Sequence, residues 1–510
     1  MRYMGMLFVL ALFFGCGSKV KQEEAPPSKP NIVLFLVDDM GWQDTSVPFW
    51  DKRTPFNERY HTPNMERLAR EGMKFTQAYA TPVCSPTRIS LMTGMNAARH
   101  RVTNWTLRKD ALQPMETNHE QLSFPRWNVN GLCPNPGLAY SVHADALPQL
   151  LQDAGYFTIH AGKAHFGAIG TPAANPRNIG FDVNIAGHAA GGPKSYLGTE
   201  NFGNLPEFRD TPWPVPGLEK YHGKDIFLTE ALTREAMIAM DTAVTQGEPF
   251  FLYMAHYAVH APIMGDDRYL NKYLEAGLDP KEAKYATLIE GMDKSLGDIM
   301  DYLEAKNLAE NTVILFMSDN GGLSVHARGG EPNTHNKPLN SGKGSIYEGG
   351  IREPMIVKWP GVIAQGTTNA NYVIIEDFYP TLLEIAGLEL PEVVQTIDGK
   401  SFVPLFTDTT SGQTADRPLF WHYPNEWGPS GPGIGAFSAV RLGDWKLIYY
   451  HLDSRYELFN IADDIGEHHN LAKARPEQVK VLAKVLRDYL ISVDAQMPSL
   501  KATGEQVAYP

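Results

Sequence analysis

The stretch NIVLFLVDDMG, residues 31–41, decides the fold, because a long apolar run ends abruptly in Asp38 and Asp39. A strand that is apolar along its whole length, without alternation, is typical of a parallel sheet covered on both faces. In such sheets ligands bind beyond the carboxyl ends of the strands. We therefore predict a buried strand that carries the two aspartates to a functional edge.

The same design recurs along the chain. Three further apolar runs end in polar residues: YFTIHAGKAHFG (156–167), PFFLYMAHYAVHAP (249–262) and TVILFMSDNGG (312–322). Helical patterns occur between and around them: TPNMERLAREG (62–72), ADALPQLLQDAG (144–155), LTEALTREAMIAMDTAV (228–244) and YATLIEGMDKSLGDIMDYLEAKN (285–307). The alternation predicts an α/β fold in which helices cover both faces of a large mixed, mostly parallel sheet.

A smaller unit is predicted near the carboxyl end. Alternating apolar patterns in AFSAVRLGDWKLIYY (436–450) and RYELFNI (455–461) indicate a small antiparallel sheet. The segment PEQVKVLAKVLRDYLISVDAQ (476–496) has a helical pattern and should pack on that sheet. A turn-rich connector, TDTTSGQTADRP (407–418), precedes the unit. The predicted domains are residues 31–410 and residues 411–510.

Composition narrows the class of protein. The chain has 510 residues, of which 43% are hydrophobic and 20% charged, and this is ordinary for a protein with a large core. Its formal net charge of −13 provides no global positive field for a phosphate backbone, which argues against nucleic-acid binding. An anionic substrate would have to be held by local positive charge.

The amino terminus predicts export. The apolar run that follows Arg2 ends at Cys16 and is shorter than the roughly 20 residues that span a bilayer, so residues 1–15 read as a signal peptide. Gly15 before Cys16 resembles the cleavage site of bacterial lipoproteins, and the polar, proline-rich residues 16–30 suit a tether. The prediction is a periplasmic or outer-membrane lipoprotein whose only membrane contact is a lipid on Cys16. Because Phe14 is bulky, plain secretion stays open.

Cys84 lies in ATPVCSPTRISLMTG, residues 80–94, at the predicted start of a helix. Exposed backbone N–H groups there favour an anion, and Arg88 would add a positive charge one turn on. The residues alone leave two alternatives, a catalytic position or a small buried thiol. Only Cys133 remains as a partner in an exported chain, and we expect separate roles in preference to a disulfide between the two.

These residues carry a resemblance. Cys84 to Arg88 match the C-x-P-x-R signature of the type I, formylglycine-dependent sulfatases of the alkaline-phosphatase-like superfamily. The match extends over nearly the whole chain after Asn31, in a common order: the Asp38-Asp39 pair, GKAHFG (162–167), FLYMAHYAVHAP (251–262), SDNGG (318–322), GKGSIYEGGIREP (342–354) and the tail motifs RLGDWKLI (441–448), ELFNI (457–461) and NLA (470–472).

The resemblance implies that a maturation enzyme oxidises Cys84 to Cα-formylglycine. The hydrated aldehyde offers two hydroxyls on one carbon, one to displace the alcohol from sulfur and one whose deprotonation releases sulfate. Hard oxygen ligands then suit Ca²⁺, with the modified Cys84 completing the shell. The implied metal ligands are Asp38, Asp39, Cys84, Asp319 and Asn320. Helix capping after a strand is the alternative for each aspartate pair taken alone.

The resemblance also assigns the charged residues. His165 would act as a base, His260 and Lys343 would hold the bridging oxygen and protonate the departing alcohol, and Arg88 and Lys163 would bind charge. His256 mimics a zinc pair with His260 by its spacing, but the helical context is missing, so we expect it to support the site or to face the substrate.

The expected activity is hydrolysis of sulfate esters on carbohydrates such as glycosaminoglycan or algal galactan fragments. The candidate sugar-contacting loops are NWTLRKD (104–110), HAAGGPK (188–194), YHGKD (221–225), HARGG (326–330) and WHYPNEW (421–427). Two alternatives are a phosphonate or phosphodiester hydrolase of the same superfamily and a catalytically silent carbohydrate-binding lipoprotein. The complete motifs favour sulfate, and no catalytic position is lost.

Overall fold

A computed structural model of the chain describes Met1, residues 29–410 and residues 412–510. Residues 2–28 hold almost all of the predicted signal peptide and tether, including Cys16, and lie outside the described part of the chain. Among the described helices, none combines the length and the hydropathy needed to cross a membrane.

The described residues form seventeen strands: β1 Asn31–Val37, β2 Met73–Tyr79, β3 Leu122–Ser123, β4 Leu132–Cys133, β5 Val142–His143, β6 Phe157–Gly162, β7 Val183–Ile185, β8 Phe250–Ala255, β9 Thr312–Ser318, β10 Arg352–Lys358, β11 Thr367–Asn369, β12 Val373–Ile374, β13 Leu419–Tyr423, β14 Phe437–Leu442, β15 Trp445–Tyr450, β16 Arg455–Asn460 and β17 Ser499–Leu500.

They also form twelve α-helices: α1 Pro55–Arg59, α2 Pro63–Glu71, α3 Cys84–Thr93, α4 Ala97–His100, α5 Pro114–Thr117, α6 Leu147–Asp153, α7 Leu228–Gln246, α8 Asp267–Glu275, α9 Pro280–Ala305, α10 Glu348–Ile351, α11 Phe378–Ile385 and α12 Pro476–Ser492. Short 3₁₀ helices span Pro172–Ala174, Pro176–Ile179, Gly198–Gly203, Pro206–Phe208, Glu219–Tyr221, Ala309–Asn311, Ile375–Asp377 and Val403–Phe406.

The large sheet has the strand order β11-β2-β10-β9-β1-β8-β6-β7, and β12 also pairs with β2. β1 pairs in parallel with both β8 and β9, and β8 pairs in parallel with β6. β10 is antiparallel to both of its neighbours, β9 and β2. The prediction of a mixed, mostly parallel sheet is therefore confirmed.

Both faces of the sheet are covered, which explains the unbroken apolar run of β1. Successive side chains point to opposite faces, so Leu34 packs in one core with α3, α6 and α11. Its neighbour Phe35 packs in a second core with α2, α7 and α9. Neither face meets solvent, so neither position tolerates a polar residue until the strand ends at Asp38.

The parallel strands β1, β6, β8 and β9 end at the same edge of the sheet. Each run leaves its strand there, and Asp39 and His165 turn the chain with φ of 62° and 57°. Positive φ is uncommon for residues other than glycine and often marks a functional site. The sheet topology therefore brings together polar groups that are far apart in sequence.

The carboxyl-terminal unit is a four-stranded antiparallel sheet of the order β13-β14-β15-β16, with α12 packed against it. This confirms the predicted small sheet and its helix. The sequence reading missed β13, because residues 421–423 were assigned to a loop. Trp421 and Tyr423 of that strand are buried against the main core. The first three residues of WHYPNEW therefore belong to a strand, and only the rest of the motif lies in a loop.

Buried charge joins the two units. Lys446 of β15 is fully buried and lies 3.0 Å from Glu348 Oε1 and 2.9 Å from Glu467 Oε1. Glu348 opens α10, five residues beyond Lys343. Although burial alone would raise it, Lys446 and two arginines lower the pKa of Glu348 to about 2. Burial raises the pKa of Glu467 to about 7.

Lys446→Met is expected to lower the free energy of unfolding by about 3–5 kcal/mol, because it leaves two buried carboxylates without their shared cation. Urea unfolding of both proteins measures the difference. The matched control is Lys484→Met, which removes an exposed pair with Asp488 and should change stability by about 0.5 kcal/mol or less. Equal effects of the two variants would contradict a stabilising role for the buried network.

Candidate active site

Cys84 is the first residue of α3 and lines a cavity of about 270 Å³. Its side chain is buried, and burial raises the pKa of the thiol in spite of Lys163 and Lys343. Thiolate is the reactive form of cysteine, so this site disfavours a cysteine nucleophile at neutral pH. The position suits a side chain whose reactivity does not depend on an ionised sulfur.

Three carboxylates lie beside the cavity. Asp38, Asp39 and Asp319 are fully buried, and each offers an oxygen atom within 4.8 Å of the others. Asn320 Nδ2 donates to Asp39 Oδ1 at 2.8 Å. Asp39 Oδ2 and Asn320 Oδ1 are buried without a hydrogen-bond partner. Buried acceptors are normally satisfied, so these two oxygens fit a hard cation ligated by oxygen.

Each carboxylate is paired with one cationic side chain. Lys163 Nζ donates to Asp38 at 2.7 and 2.8 Å, Arg88 Nε donates to Asp319 Oδ2 at 2.9 Å, and Lys343 Nζ lies 2.6 Å from Asp39 Oδ1. Burial raises the pKa of Asp38 despite Lys163. The pKa of Asp39 is lowered although burial opposes this, because Lys343 and His260 lie close by.

The two histidines of the site are held in defined tautomers by backbone carbonyls. His165 Nε2 donates to the carbonyl oxygen of Thr106 at 2.8 Å, which leaves its buried Nδ1 as an unpartnered acceptor. His260 Nδ1 donates to Ala261 O at 2.7 Å, and its Nε2 lies 3.7 Å from Asp39 Oδ2. Burial lowers both pKa values, that of His260 to about 3. A neutral His165 is suited to accept a proton.

The glycine pair at 191 and 192 allows the backbone to approach both rings. A Cβ on Gly191 would lie 2.4 Å from His165 Cε1, and one on Gly192 would lie 2.8 Å from His260 Nδ1. Since such approaches are too close for carbon, side chains here would displace the histidines. The loop 188–194 is thus part of the site.

The cavity is largely apolar above its charged groups. The residues lining it are Asp39, Cys84, Trp105, Met115, His165, Gly191, Trp213, His260, Ala261, Leu323, His326, Lys343, Trp427 and Pro429. Four of the five predicted sugar loops contribute, namely 104–110, 188–194, 326–330 and 421–427. The fifth loop, 221–225, does not line this cavity, and within the described chain its Asp225 lines a separate one.

Two further residues of the predicted motifs do not line the cavity. His256 is buried at the start of the loop after β8, where its Nε2 lies 2.8 Å from Ser295 Oγ of α9 and its ring packs on Phe35. It therefore belongs to the core and does not face a substrate. Arg328 of the HARGG loop is also buried, and it pairs with Asp44 and Glu282 instead of contacting the cavity. Cys84 and Cys133 are both free, as expected.

All predicted catalytic and metal-binding residues meet around this cavity: Asp38, Asp39, Cys84, Arg88, Lys163, His165, His260, Asp319, Asn320 and Lys343. Sequence reasoning missed Met115, Trp213, Leu323 and the carbonyl of Thr106. Isolated apolar residues and backbone carbonyls carry no local pattern. The prolines around Trp213, in TPWPVP, are the one sequence signal of an aromatic ring held in a fixed loop.

A buried oxygen cluster, three cations and a base around one side chain can hold an anionic tetrahedral ester against a nucleophile. Comparison with known proteins identifies this chemistry. The sulfatase family profile matches residues 30–388, and the profile of the N-sulphoglucosamine sulphohydrolase C-terminal region matches residues 341–496.

Relatives match over most of the chain. A sulfatase of Formosa agariphila is 30% identical over 94% of this chain and 92% of its own length. The N-acetylgalactosamine-6-sulfatase of Mus musculus is 32% identical over 88% of this chain and 77% of its own length. The crystal structure of Ps i-CgsB in complex with k-i-k-neocarrahexaose is 28% identical, with a TM-score of 0.72 over 91% of this chain and 93% of that one. The chain belongs to the sulfatase family and is a sulfuric ester hydrolase with the alkaline-phosphatase-like fold.

Proposed function

We propose that this sulfatase removes sulfate from carbohydrates, in particular from fragments of glycosaminoglycans or algal galactans. The observation that carries the proposal is the apolar cavity above Cys84, in which Trp105, Trp213 and Trp427 form walls. Indole faces pack well against the C–H faces of sugar rings while keeping a polar edge. The two relatives named for N-acetylgalactosamine and for a neocarrahexaose complex support the same substrate class.

The metal in this proposal is Ca²⁺, held by Asp38, Asp39, Asp319, Asn320 and the modified side chain of residue 84. The unpartnered oxygens of Asp39 and Asn320 support an oxygen-ligated cation. A divalent ion at this place makes a hydroxyl more acidic and offsets the charge of the sulfate.

The proposal includes conversion of Cys84 to Cα-formylglycine by a maturation enzyme. The hydrated aldehyde supplies one hydroxyl for attack on sulfur and one whose deprotonation releases sulfate. Around it, the unprotonated Nδ1 of His165 is the base, fixed by the carbonyl of Thr106. Arg88 also donates to the carbonyl oxygen of Lys163 at 2.8 Å, so both cations are held rigidly beside the cluster. Lys343 and His260 lie near Asp39 and would meet the leaving oxygen.

In the free site His260 is neutral and its Nε2 carries no proton, so a donor role requires Nε2 to be protonated when the anionic ester is bound. His260→Ala tests this leaving-group role. Sugar alcohols need a proton to depart, whereas a nitrophenolate leaves nearly unaided, so kcat/KM should fall by roughly 10²–10⁴-fold on a sulfated sugar and clearly less on an aryl sulfate. Arg88→Lys is the control, because Arg88 binds Asp319 and should slow both substrates by similar factors. Equal losses for His260→Ala would assign proton donation to Lys343.

A desulfation screen tests the substrate class. Sulfated mono- and disaccharides of N-acetylgalactosamine, glucosamine and carrageenan would be compared with an aryl sulfate and an aryl phosphonate. Turnover of a sulfated saccharide above the aryl sulfate supports the proposal. Faster turnover of the phosphonate would favour the alternative hydrolase class, and turnover of none would favour a silent binding protein.

The cellular place is a proposal that rests on the sequence alone. We place the protein in the periplasm or outer membrane, anchored through lipidated Cys16. Palmitate labelling of the expressed chain and of Cys16→Ser tests it, and unlabelled but exported protein would show plain secretion.

A further inference from the structure

A buried carboxylate underlies one side of the saccharide cavity. Glu116 lies in α5 and is 3% exposed, and in the described chain no lysine or arginine pairs with it. Its Oε1 accepts hydrogen bonds from Asn104 Nδ2 at 3.0 Å, Trp127 Nε1 at 3.0 Å and Asn425 Nδ2 at 2.7 Å. Its Oε2 accepts from the backbone N–H of Gln113 at 2.8 Å.

Three of the segments joined by this carboxylate each carry a wall of the cavity. Asn104 precedes Trp105, Glu116 follows Met115, and Asn425 lies two residues before Trp427. The walls formed in this way are Trp105, Met115 and Trp427. Trp427 lies more than 300 residues from Trp105 and Met115 in the sequence, so its position relative to them depends on contacts such as that of Asn425 with Glu116.

Further hydrogen bonds tie the same segments to the reaction centre. Tyr423 O–H donates to Asn104 Oδ1 at 2.9 Å. Thr106, two residues after Asn104, donates its N–H to Ser85 Oγ at 3.1 Å beside Cys84. The network is therefore continuous from Glu116 to the residues that surround the reacting group.

The hydrogen-bond pattern suits an anion at Glu116. All four partners are donors, and an ionised carboxylate only accepts. Burial raises the pKa of Glu116, and the four donors oppose this. Glutamine at this place would put an N–H₂ group against donors and leave buried groups unpaired.

We propose that Glu116 is a positioning residue that sets the spacing of the three walls and thereby the affinity for a saccharide. It lines no part of the cavity itself. The inference rests on the proposed carbohydrate function and names a residue that determines specificity for it. A small aryl sulfate, held mainly by the charged groups below the walls, depends less on their spacing.

The test compares Glu116→Gln with the wild type on a sulfated saccharide from the screen and on 4-nitrophenyl sulfate. We expect KM for the saccharide to rise by about 10-fold or more, with kcat and the aryl sulfate parameters changed by about 3-fold or less. Partial unfolding would lower kcat for both substrates alike and leave KM unchanged, and that result would overturn the proposal.

Two more variants complete the test. Glu376→Gln is the matched control: it is also a buried glutamate, it accepts from Asn96, and burial raises its pKa to about 8, so neutral glutamine should leave both substrates unaffected. Asn425→Ser removes a single donor and should raise KM for the saccharide by a smaller factor, even where Glu116→Gln fails to fold. An unchanged KM in Asn425→Ser would contradict the proposal.

Failure of the carbohydrate function is distinguishable from failure of this inference. A wild-type protein that hydrolyses aryl sulfates but no sulfated saccharide would contradict the proposed carbohydrate function. The comparison then uses 4-methylumbelliferyl sulfate, whose two fused rings reach further along the walls than 4-nitrophenyl sulfate. A selective rise of its KM in Glu116→Gln supports the positioning role, and equal KM changes for both esters overturn it.

Discussion

Cys84→Ala is expected to lower kcat by about 10⁴–10⁶-fold on every sulfate ester, the range seen when a covalent nucleophile is removed. The fold should survive, because residue 84 opens α3 through its backbone and its thiol makes no hydrogen bond in the described structure. Circular dichroism and thermal melting measure the fold, and turnover of an aryl sulfate measures the loss.

The same position allows a direct chemical test of maturation. Mass analysis of the peptide that carries residue 84 should show the –CH₂SH group replaced by an aldehyde in protein made with a maturation enzyme. Turnover should scale with the aldehyde fraction among preparations. An active protein whose residue 84 remains wholly a thiol would contradict the mechanism, as would a fully active Cys84→Ala. Cys133→Ala is the control, since Cys133 is buried away from the cavity and should leave turnover unchanged.

Asp319→Asn is expected to raise the calcium concentration for half-maximal activity by about 10²-fold and to lower turnover by about 10²–10³-fold at limiting metal. Asp319 is one of three buried carboxylates in the cluster, and asparagine keeps its shape while removing one negative charge. Calcium titration of chelator-treated protein, with bound metal measured in parallel, gives both numbers.

The control for Asp319→Asn must also remove the carboxylate partner of an arginine. Asp319 pairs with buried Arg88, so its loss affects stability as well as the metal. Asp398→Asn removes the carboxylate partner of Arg99, a partly exposed pair outside the cluster, and should leave the calcium dependence unchanged. Activity of Asp319→Asn that does not recover at high calcium would point to a folding defect and would contradict a ligand role.

The sequence specified the sheet edge because local patterns encode it. β1, β6, β8 and β9 are apolar on both faces and stop at polar residues, so their strand character and the polarity of their ends are visible in one dimension. The start of α3 was also predicted from a local pattern. Pro86 and the apolar residues after it indicate a helix, and the helix begins at Cys84. The motif order then predicted the metal and catalytic residues one by one, and the structure brings those residues together around the cavity.

The sequence did not predict which individual polar side chains of the loops are buried. His256 and His260 are four residues apart in one polar stretch, yet one packs on Phe35 and the other lines the cavity. Arg328 lies in a loop predicted to contact sugar, yet its side chain is an internal ion-pair partner of Asp44. The direction of a side chain at a loop depends on the elements that pack around it, and these come from distant parts of the chain.

The sequence by itself determined the class of fold, the family and the candidate residues for binding the sulfate group, because these are carried by short motifs at strand ends. Only the tertiary structure decided which side chains of the predicted loops line the cavity, and it added Met115 and Trp213 to them. Trp105 and Met115 lie more than 300 residues from Trp427, and Glu116 beside Met115 accepts a hydrogen bond from Asn425 across that separation. Contacts of that range depend on the folded topology, which no local pattern records.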